Sequence, residues 1–369
     1  MSESSTSVRA HLASAKRVVV KVGSNALLSE PDCVSWLAGE VATLRESGRD
    51  VVIVSSGAIA CGVSRLGLAE RPKTLAGLQA AAAVGQGRLM QRYDSAFGEH
   101  GLPIAQILLT HASFADRERY LHASRALDAV MTMGAVPVVN ENDTVATDEI
   151  RFGDNDQLAA MVGTLVSADL LILVTDVPGV LDAHGAVISL VTDATEVTPY
   201  LKDPASDVGT GGMVSKVEAA RKATLRGCPV VIFGARETGA LSRILEGEEM
   251  GTLFLPKGAR LPSRKHWIAY TLKAKGALVV DAGAVTALRE GTKSLLPAGV
   301  VGARGDFAAG DAVRVVSPEG QEFARGLVRY ATGDVAKLAG ARTEEIADRL
   351  GRSGSKAIIH KDDLVITQA

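Results

Sequence analysis

Residues 17–25 read RVVVKVGSN. The run of valines is too short for a buried helix, and it does not alternate with polar residues, so it describes a strand covered on both faces. It ends on a lysine, a glycine, a serine and an asparagine. Outward from it the same design recurs at 50–54 (DVVIV), 104–109 (IAQILL), 136–140 (VPVVN), 170–174 (LLILV) and 229–233 (PVVIF). Helical patterns fill the intervals at 34–46, 75–97, 120–133, 156–165 and 213–226. Strand, helix, strand repeated over about 250 residues predicts an α/β fold, a doubly wound, mainly parallel sheet with helices on both faces. In such sheets ligands bind outside the carboxyl ends of the strands. Four ends carry polar groups: Lys21 to Asn25, Ser55 to Gly57, Asn140 to Asp143, and Thr175 with Asp176. They imply one shared site.

A chain of 369 residues is long enough for two domains. Hydrophobic residues make up 47% and aromatic ones 4%, which suits small, closely packed elements. A net charge of −2 supplies no global field toward nucleic acid or an anionic membrane. Cys33, Cys61 and Cys228 form no CxxC pair and read as buried thiols of a reducing compartment. The histidines show no zinc-ligand spacing, and His100, His111 and His122 read as surface or capping groups. No apolar run approaches the ~18 residues that cross a bilayer, and residues 1–14 lack a signal-like apolar segment and read as a disordered tail. The expectation is a soluble, cytoplasmic protein.

From about residue 251 the rhythm changes. Residues 251–275 hold six Lys/Arg and no acid. Short alternating segments broken by glycine turns follow, as in a small β-barrel or roll. The expected division is a tail at 1–14, a catalytic domain at 15–255, a basic connector at 256–275 and a second domain at 276–369. That last domain balances twelve Lys/Arg against twelve Asp/Glu. The balance lacks the basic excess of a nucleic-acid module and favours a structural or regulatory role.

Two stretches bear chemistry. Residues 140–156, NENDTVATDEIRFGDND, hold six carboxylates against the single cation Arg151. Acids so close need a positive partner: a lysine, a metal or a charged ligand. Residues 208–223, VGTGGMVSKVEAARKA, place three glycines before an amphipathic helix with Lys216 in its first turns. Glycines let backbone N–H groups approach an anion, and the helix N-terminus adds partial positive charge. No Walker A spacing exists in the chain. Lysines, glycine amides and a carboxylate cluster suit phosphoryl transfer, which needs positioning and charge neutralisation more than covalent chemistry. A carboxylate acceptor, with a pKa near ~4, is already ionised at neutral pH and needs no base. Lys21 and Lys216 would then clamp the moving group, with Asp156 fixing both ammonium groups.

KVGSN, IVSSGAIA, NENDTVA, FGDNDQLAA, LVTDVPGV and GTGGMVSK, in this order, closely resemble the glutamate 5-kinases of the amino acid kinase family. The resemblance covers nearly the whole chain, and its last segment, SLLPAGVVGARGDFAAGDAVRV, resembles a PUA domain. It implies ATP-dependent phosphorylation of the γ-carboxylate of L-glutamate, the first step of proline synthesis. Carried over position by position, it makes Lys21 and Lys216 the catalytic pair and Asp156 their organiser. Ser56, Gly57, Asp143, Asn155 and Asn140 would bind glutamate, with Asp143 toward its α-ammonium. Lys21, Gly23, Thr175, Asp176, Thr210, Gly211, Gly212, Met213, Val214, Ser215 and Lys216 would bind ATP. Mg2+ would arrive with the nucleotide, with no carboxylate of the chain a firm direct ligand. The stretch 181–190, LDAHGAVISL, departs from the family's usual aromatic residue and TxDP, so adenine contacts are not carried onto it. Feedback inhibition by L-proline, a homo-oligomer, and transfer of the product to glutamyl phosphate reductase are further implications. Two other readings stand beside this one: a family member acting on another small carboxylate, and an RNA-binding PUA protein with a degenerate kinase domain.

Overall fold

The computed structural model describes residues 8–24, 27, 32–146, 155–201, 212–234, 237–256, 268, 272, 274–290 and 293–367. The chain divides into two compact units, Met1–Arg260 and Leu261–Ala369. Most of the connector expected at 256–275 lies outside the described residues, as do Asn25 and the acids Asp148, Glu149 and Asp154.

In the first unit the apolar runs form strands β1 (Arg17–Val22), β2 (Asp50–Ser55), β3 (Ile104–Leu109), β4 (Val136–Glu141) and β5 (Leu170–Val174). Short strands follow at β6 (Leu190–Val191), β7 (Val230–Phe233) and β8 (Thr252–Phe254). The sheet order is β3-β4-β2-β1-β5-β7-β8-β6. The first six strands in that order are parallel, β8 runs antiparallel to β7, and β6 is parallel to β8. Helices α1 (Cys33–Glu46), α2 (Ala58–Arg65), α3 (Leu75–Gly98), α4 (His111–Ala115), α5 (Arg117–Thr132), α6 (Asn155–Leu165), α7 (Met213–Thr224) and α8 (Ala240–Leu245) fill the connections.

The central strands have the burial that their unbroken valine and isoleucine runs predict: every residue of β5 and β7 is buried, and β1 and β2 are buried beyond their first residue. β3 departs from that expectation. Despite its apolar run IAQILL it lies at the sheet edge, with Gln106 and Leu108 exposed. A hydrophobic run alone does not distinguish an edge from a centre, because position in the sheet is decided by crossover connections. β6 and β8 are two and three residues long, too short to leave a periodic signal.

The helix at 75–98 packs on α2 with its backbone almost in contact. A Cβ built on Gly85 would stand 1.8 Å from Ala58 O and 2.3 Å from Gly62 N, and one on Gly62 would stand 1.8 Å from Ala81 O. The Ala/Gly-rich stretch around 78–87 is thus a close helix contact.

The second unit has its own five-stranded sheet in the order β10-β9-β11-β12-β13. Its strands are β9 (Gly276–Val280), β10 (Val300–Gly305), β11 (Ala312–Val316), β12 (Glu322–Leu327) and β13 (Leu364–Ile366). β9 and β11 are parallel and the other pairs antiparallel. Leu278, Val313, Phe323, Ile358 and their neighbours give it a separate core. Among the described residues no helix is long and apolar enough to cross a membrane.

Candidate active site

The four polar strand ends are neighbours in the sheet, because β4, β2, β1 and β5 are consecutive in its order. Register puts them level: Val22 lies opposite Ser55 and Val174, and Val54 opposite Val139. Lys21, Ser56, Asn140 and Thr175 therefore leave the sheet along one edge.

Asp156 sits at the centre. It occupies the first turn of α6 and is wholly buried. One carboxylate oxygen meets Lys21 Nζ at 2.5 Å. The other accepts from Lys216 Nζ at 3.2 Å and from Ser215 Oγ at 3.3 Å. Residues 21 and 216 are far apart in sequence, yet their ammonium groups meet on the two oxygens of one carboxylate. Burial pushes the Asp156 carboxyl up, but the charges and hydrogen bonds of both lysines outweigh it, and the net shift is downward. For Lys216 burial dominates and lowers the pKa, Lys21 adds to the lowering, and Asp156 opposes it. Among the described residues both ammonium groups face Asp156, and Lys216 also feels the charge of Asp176.

Around this triad the sequence-predicted residues fall as follows. Lys216 lies in the first turn of α7, whose N-cap is Gly212, and its N–H donates to Gly212 O at 3.3 Å. Val214 is exposed on that turn and Met213 half-buried. Thr210 and Gly211 lie outside the described residues. A Cβ on Gly23 would stand 3.6 Å from Lys21 Nζ, and one on Gly212 would meet nothing within 4 Å. The missing side chains leave open the space a polyphosphate would need. Thr175 is buried, its N–H donates to Phe233 O at 2.9 Å and its hydroxyl donates to Asp176 Oδ1 at 3.1 Å. Beyond Asp176, Pro178, Val187, Phe233 and Met250 are among the walls of a cavity of about 280 Å³.

On the other side stands a polar chain. Asn155 Nδ2 donates to Ser55 O at 2.6 Å and to Asn140 Oδ1 at 2.8 Å. Asn140 Oδ1 also accepts from the Glu141 N–H at 2.9 Å. Ser56 N–H donates to Val22 O at 3.3 Å. Gly57 caps α2 at φ +101°, a left-handed backbone that a side chain would oppose. Asp143 is half-buried in the loop after β4. Burial raises its carboxyl to about 6, with Arg71 pulling the other way.

Three residues of this shell escaped sequence reasoning. Gln79 Nε2 donates to Ala146 O at 3.3 Å, Gln86 Oε1 accepts from Asn140 Nδ2 at 2.8 Å, and Tyr93 donates to Ser55 Oγ at 2.9 Å. All lie on α3, and their seven-residue spacing within an Ala/Gly-rich helix was the signal available. Among the described residues no group of three His, Cys, Asp or Glu is placed to hold a metal ion.

The sequence pattern of the amino acid kinase family matches residues 16–234, and that of the PUA domain matches residues 276–350. Similar proteins include the glutamate 5-kinases of Pelobacter propionicus (45% identical over 363 residues) and Citrifermentans bemidjiense (47% over 363). Each alignment covers 95% of this chain and 97% of the relative. The glutamate 5-kinase of Myxococcus xanthus is 46% identical, across 97% of this chain and 98% of its own.

Proposed function

This chain belongs to the amino acid kinase family and, over nearly its whole length, to the glutamate 5-kinases, and we propose from that premise how its residues act. The reaction is ATP-dependent phosphorylation of the γ-carboxylate of L-glutamate to L-glutamyl 5-phosphate, the step that opens proline synthesis. A γ-carboxylate oxygen bonds to the γ-phosphorus of ATP, the bond to the β,γ-bridging oxygen breaks, and ADP leaves with that electron pair. The acceptor is ionised at neutral pH, so no proton has to be removed.

The observation that carries this reading is the pairing of Lys21 and Lys216 on buried Asp156. Two anions must approach each other, and the barrier is mainly electrostatic. Lys21 and Lys216 neutralise the transferring group, while Asp156 holds both in place. The amides at Gly23 and from Thr210 to Ser215 receive the phosphates, and Thr175 and Asp176 receive the rest of the nucleotide. Mg2+ enters with ATP and supplies further charge neutralisation on its phosphates. Ser56, Gly57, Asn140, Asn155 and Asp143 hold glutamate, with Asp143 against its α-ammonium. The working division keeps a catalytic domain at 15–255 and a PUA-like domain at 276–369 with a structural or regulatory part. A homo-oligomer, feedback by L-proline at or overlapping the glutamate site, delivery of the acyl phosphate to glutamyl phosphate reductase, and a cytoplasmic location complete the reading.

The direct test is a hydroxylamine trap. Protein, ATP, Mg2+ and L-glutamate are expected to give γ-glutamyl hydroxamate, and L-aspartate and N-acetyl-L-glutamate much less. Preference for either of those would transfer the assignment to another acceptor. Absence of product from any acceptor, in protein that binds ATP, would end the kinase reading.

A pH dependence follows from Asp143. Its carboxyl titrates near 6 in the free protein, and an α-ammonium binds the ionised form. Glutamate kcat/KM is therefore expected to fall as pH drops from 7 through 6, approaching about tenfold per unit near pH 5. The stability sign is opposite to that of an ordinary aspartate. A raised folded-state value favours folding at low pH and loses that contribution as pH rises through about 6. Asp143→Asn should raise glutamate KM and flatten the profile between pH 5 and 7. An unchanged profile in that variant would remove Asp143 from substrate binding.

A further inference from the structure

Helix α3 presents Gln79, Gln86 and Tyr93 at intervals of seven residues, close to two helical turns, so the three form one stripe. Each reaches a different part of the glutamate side of the site: Gln79 the loop after Asp143, Gln86 Asn140, and Tyr93 Ser55. Burial raises the Tyr93 pKa and keeps its phenol protonated as a donor.

Gln86 differs from the other two. Its Nε2 is buried and, among the described residues, has no hydrogen-bond partner. The orientation of its amide is determined by its neighbours. Asn140 accepts from the Glu141 N–H, which can only donate, so the atom facing that N–H is the Asn140 oxygen. Asn140 Nδ2 then faces Gln86, and the Gln86 atom it meets is the oxygen. Turning either amide would set donor against donor. The remaining Gln86 atom is an NH2 group, buried beside the candidate substrate site with no acceptor for its hydrogens among the described residues.

We propose that Gln86 is a specificity-determining residue whose Nε2 donates to the α-carboxylate of the amino-acid substrate. This rests on the glutamate 5-kinase reading and deepens it. The γ-carboxylate is committed to the lysine pair beside Asp156. The α-ammonium is assigned to Asp143, three residues beyond Asn140. The α-carboxylate shares a carbon with that ammonium, so it arrives on the Asn140 side of the site. There Gln86 offers the unused donor. A buried donor lacking an acceptor is unfavourable in the free protein, and an incoming carboxylate relieves that cost. An α-amide still offers its carbonyl oxygen to that donor but loses the charge that strengthens the bond, so the site prefers the carboxylate.

The test compares L-glutamate with its α-amide, L-isoglutamine, in the hydroxamate assay. Gln86→Glu keeps an oxygen toward Asn140 and replaces the donor with a charge that repels a carboxylate. Its glutamate KM is expected to rise about tenfold to a hundredfold, with kcat falling much less, while kcat/KM for the α-amide changes little. The preference for glutamate over the amide then collapses by about tenfold or more. Gln86→Met, which removes the donor without adding charge, should show the same trend more weakly and serves if the charged variant does not fold. A glutamate-to-amide preference within twofold of wild type in a folded variant overturns the proposal. Wild-type protein that makes no hydroxamate from glutamate fails differently, because it removes the kinase reading beneath it.

Discussion

Lys216→Ala is expected to lower kcat by roughly 10²- to 10³-fold, the usual loss when one preorganised charge-stabilising group is removed. Glutamate KM should move by less than about threefold. The asymmetry follows from where the charge acts. Lys216 meets the group in flight, and an interaction formed mainly in the transition state appears in kcat. The substitution keeps the Lys21 contact on Asp156 but removes one of the two positive charges that face the incoming phosphates. Stability should change little, because the deletion also removes repulsion between two buried ammonium groups. Initial rates at saturating ATP, together with a thermal melt, measure both effects. Turnover within tenfold of wild type would take Lys216 out of the mechanism.

Gly85→Ala is expected to cost substantial stability. Alanine is the better helix former by about 1 kcal/mol. Against that gain, the new methyl would lie 1.8 Å from Ala58 O and 2.3 Å from Gly62 N, with backbone on both counts. Neither atom can swing aside as a flexible side chain would. Overpacking typically costs about 1–3 kcal/mol, and backbone overlap puts this case at the upper end. A net loss of about 2 kcal/mol or more corresponds to a Tm lower by roughly 4–8 °C for a domain of this size. Glutamate KM should rise as well, since α2 follows directly on Ser56 and its cap Gly57, and Gln86 is the next residue on α3. The control is Gly87→Ala, two positions on, where an added Cβ meets nothing within 4 Å. That variant should be as stable as wild type or more so, by up to about 1 kcal/mol. Equal melting temperatures for the two variants would show that the helices separate freely at Gly85.

These outcomes probe features that differ in how far the sequence discloses them. The strands at 17–22 and 170–174 begin and end where their apolar runs do, because a strand covered on both faces leaves no polar position to blur its limits. The helices at 75–98 and 213–224 were legible within two residues, from glycine and the change of period. The neighbouring polar groups of the candidate site were legible wherever such a run is interrupted: Lys21, Ser56, Asn140 and Thr175 each mark a strand end. The tetrad of strands that brings those ends together follows from parallel topology.

Other features have no local signature. That IAQILL at 104–109 lies at the sheet edge, with Leu108 exposed, depends on which strand the chain returns to after each helix. The same holds for Gln86: nothing in AAAVGQG distinguishes a glutamine at the surface from one whose amide is locked by Asn140 and left with an unused donor.

The sequence alone determined the fold class, the longer strands of the first unit and the kinds of side chain available, because periodicity and polarity are properties of neighbouring residues. The tertiary structure alone decided which of those side chains share a charge. Lys21 and Lys216, 195 positions apart, meet on Asp156 only because β1, α6 and α7 converge at the carboxyl ends of the strands, and the electrostatics of a buried pair depends on distance in space.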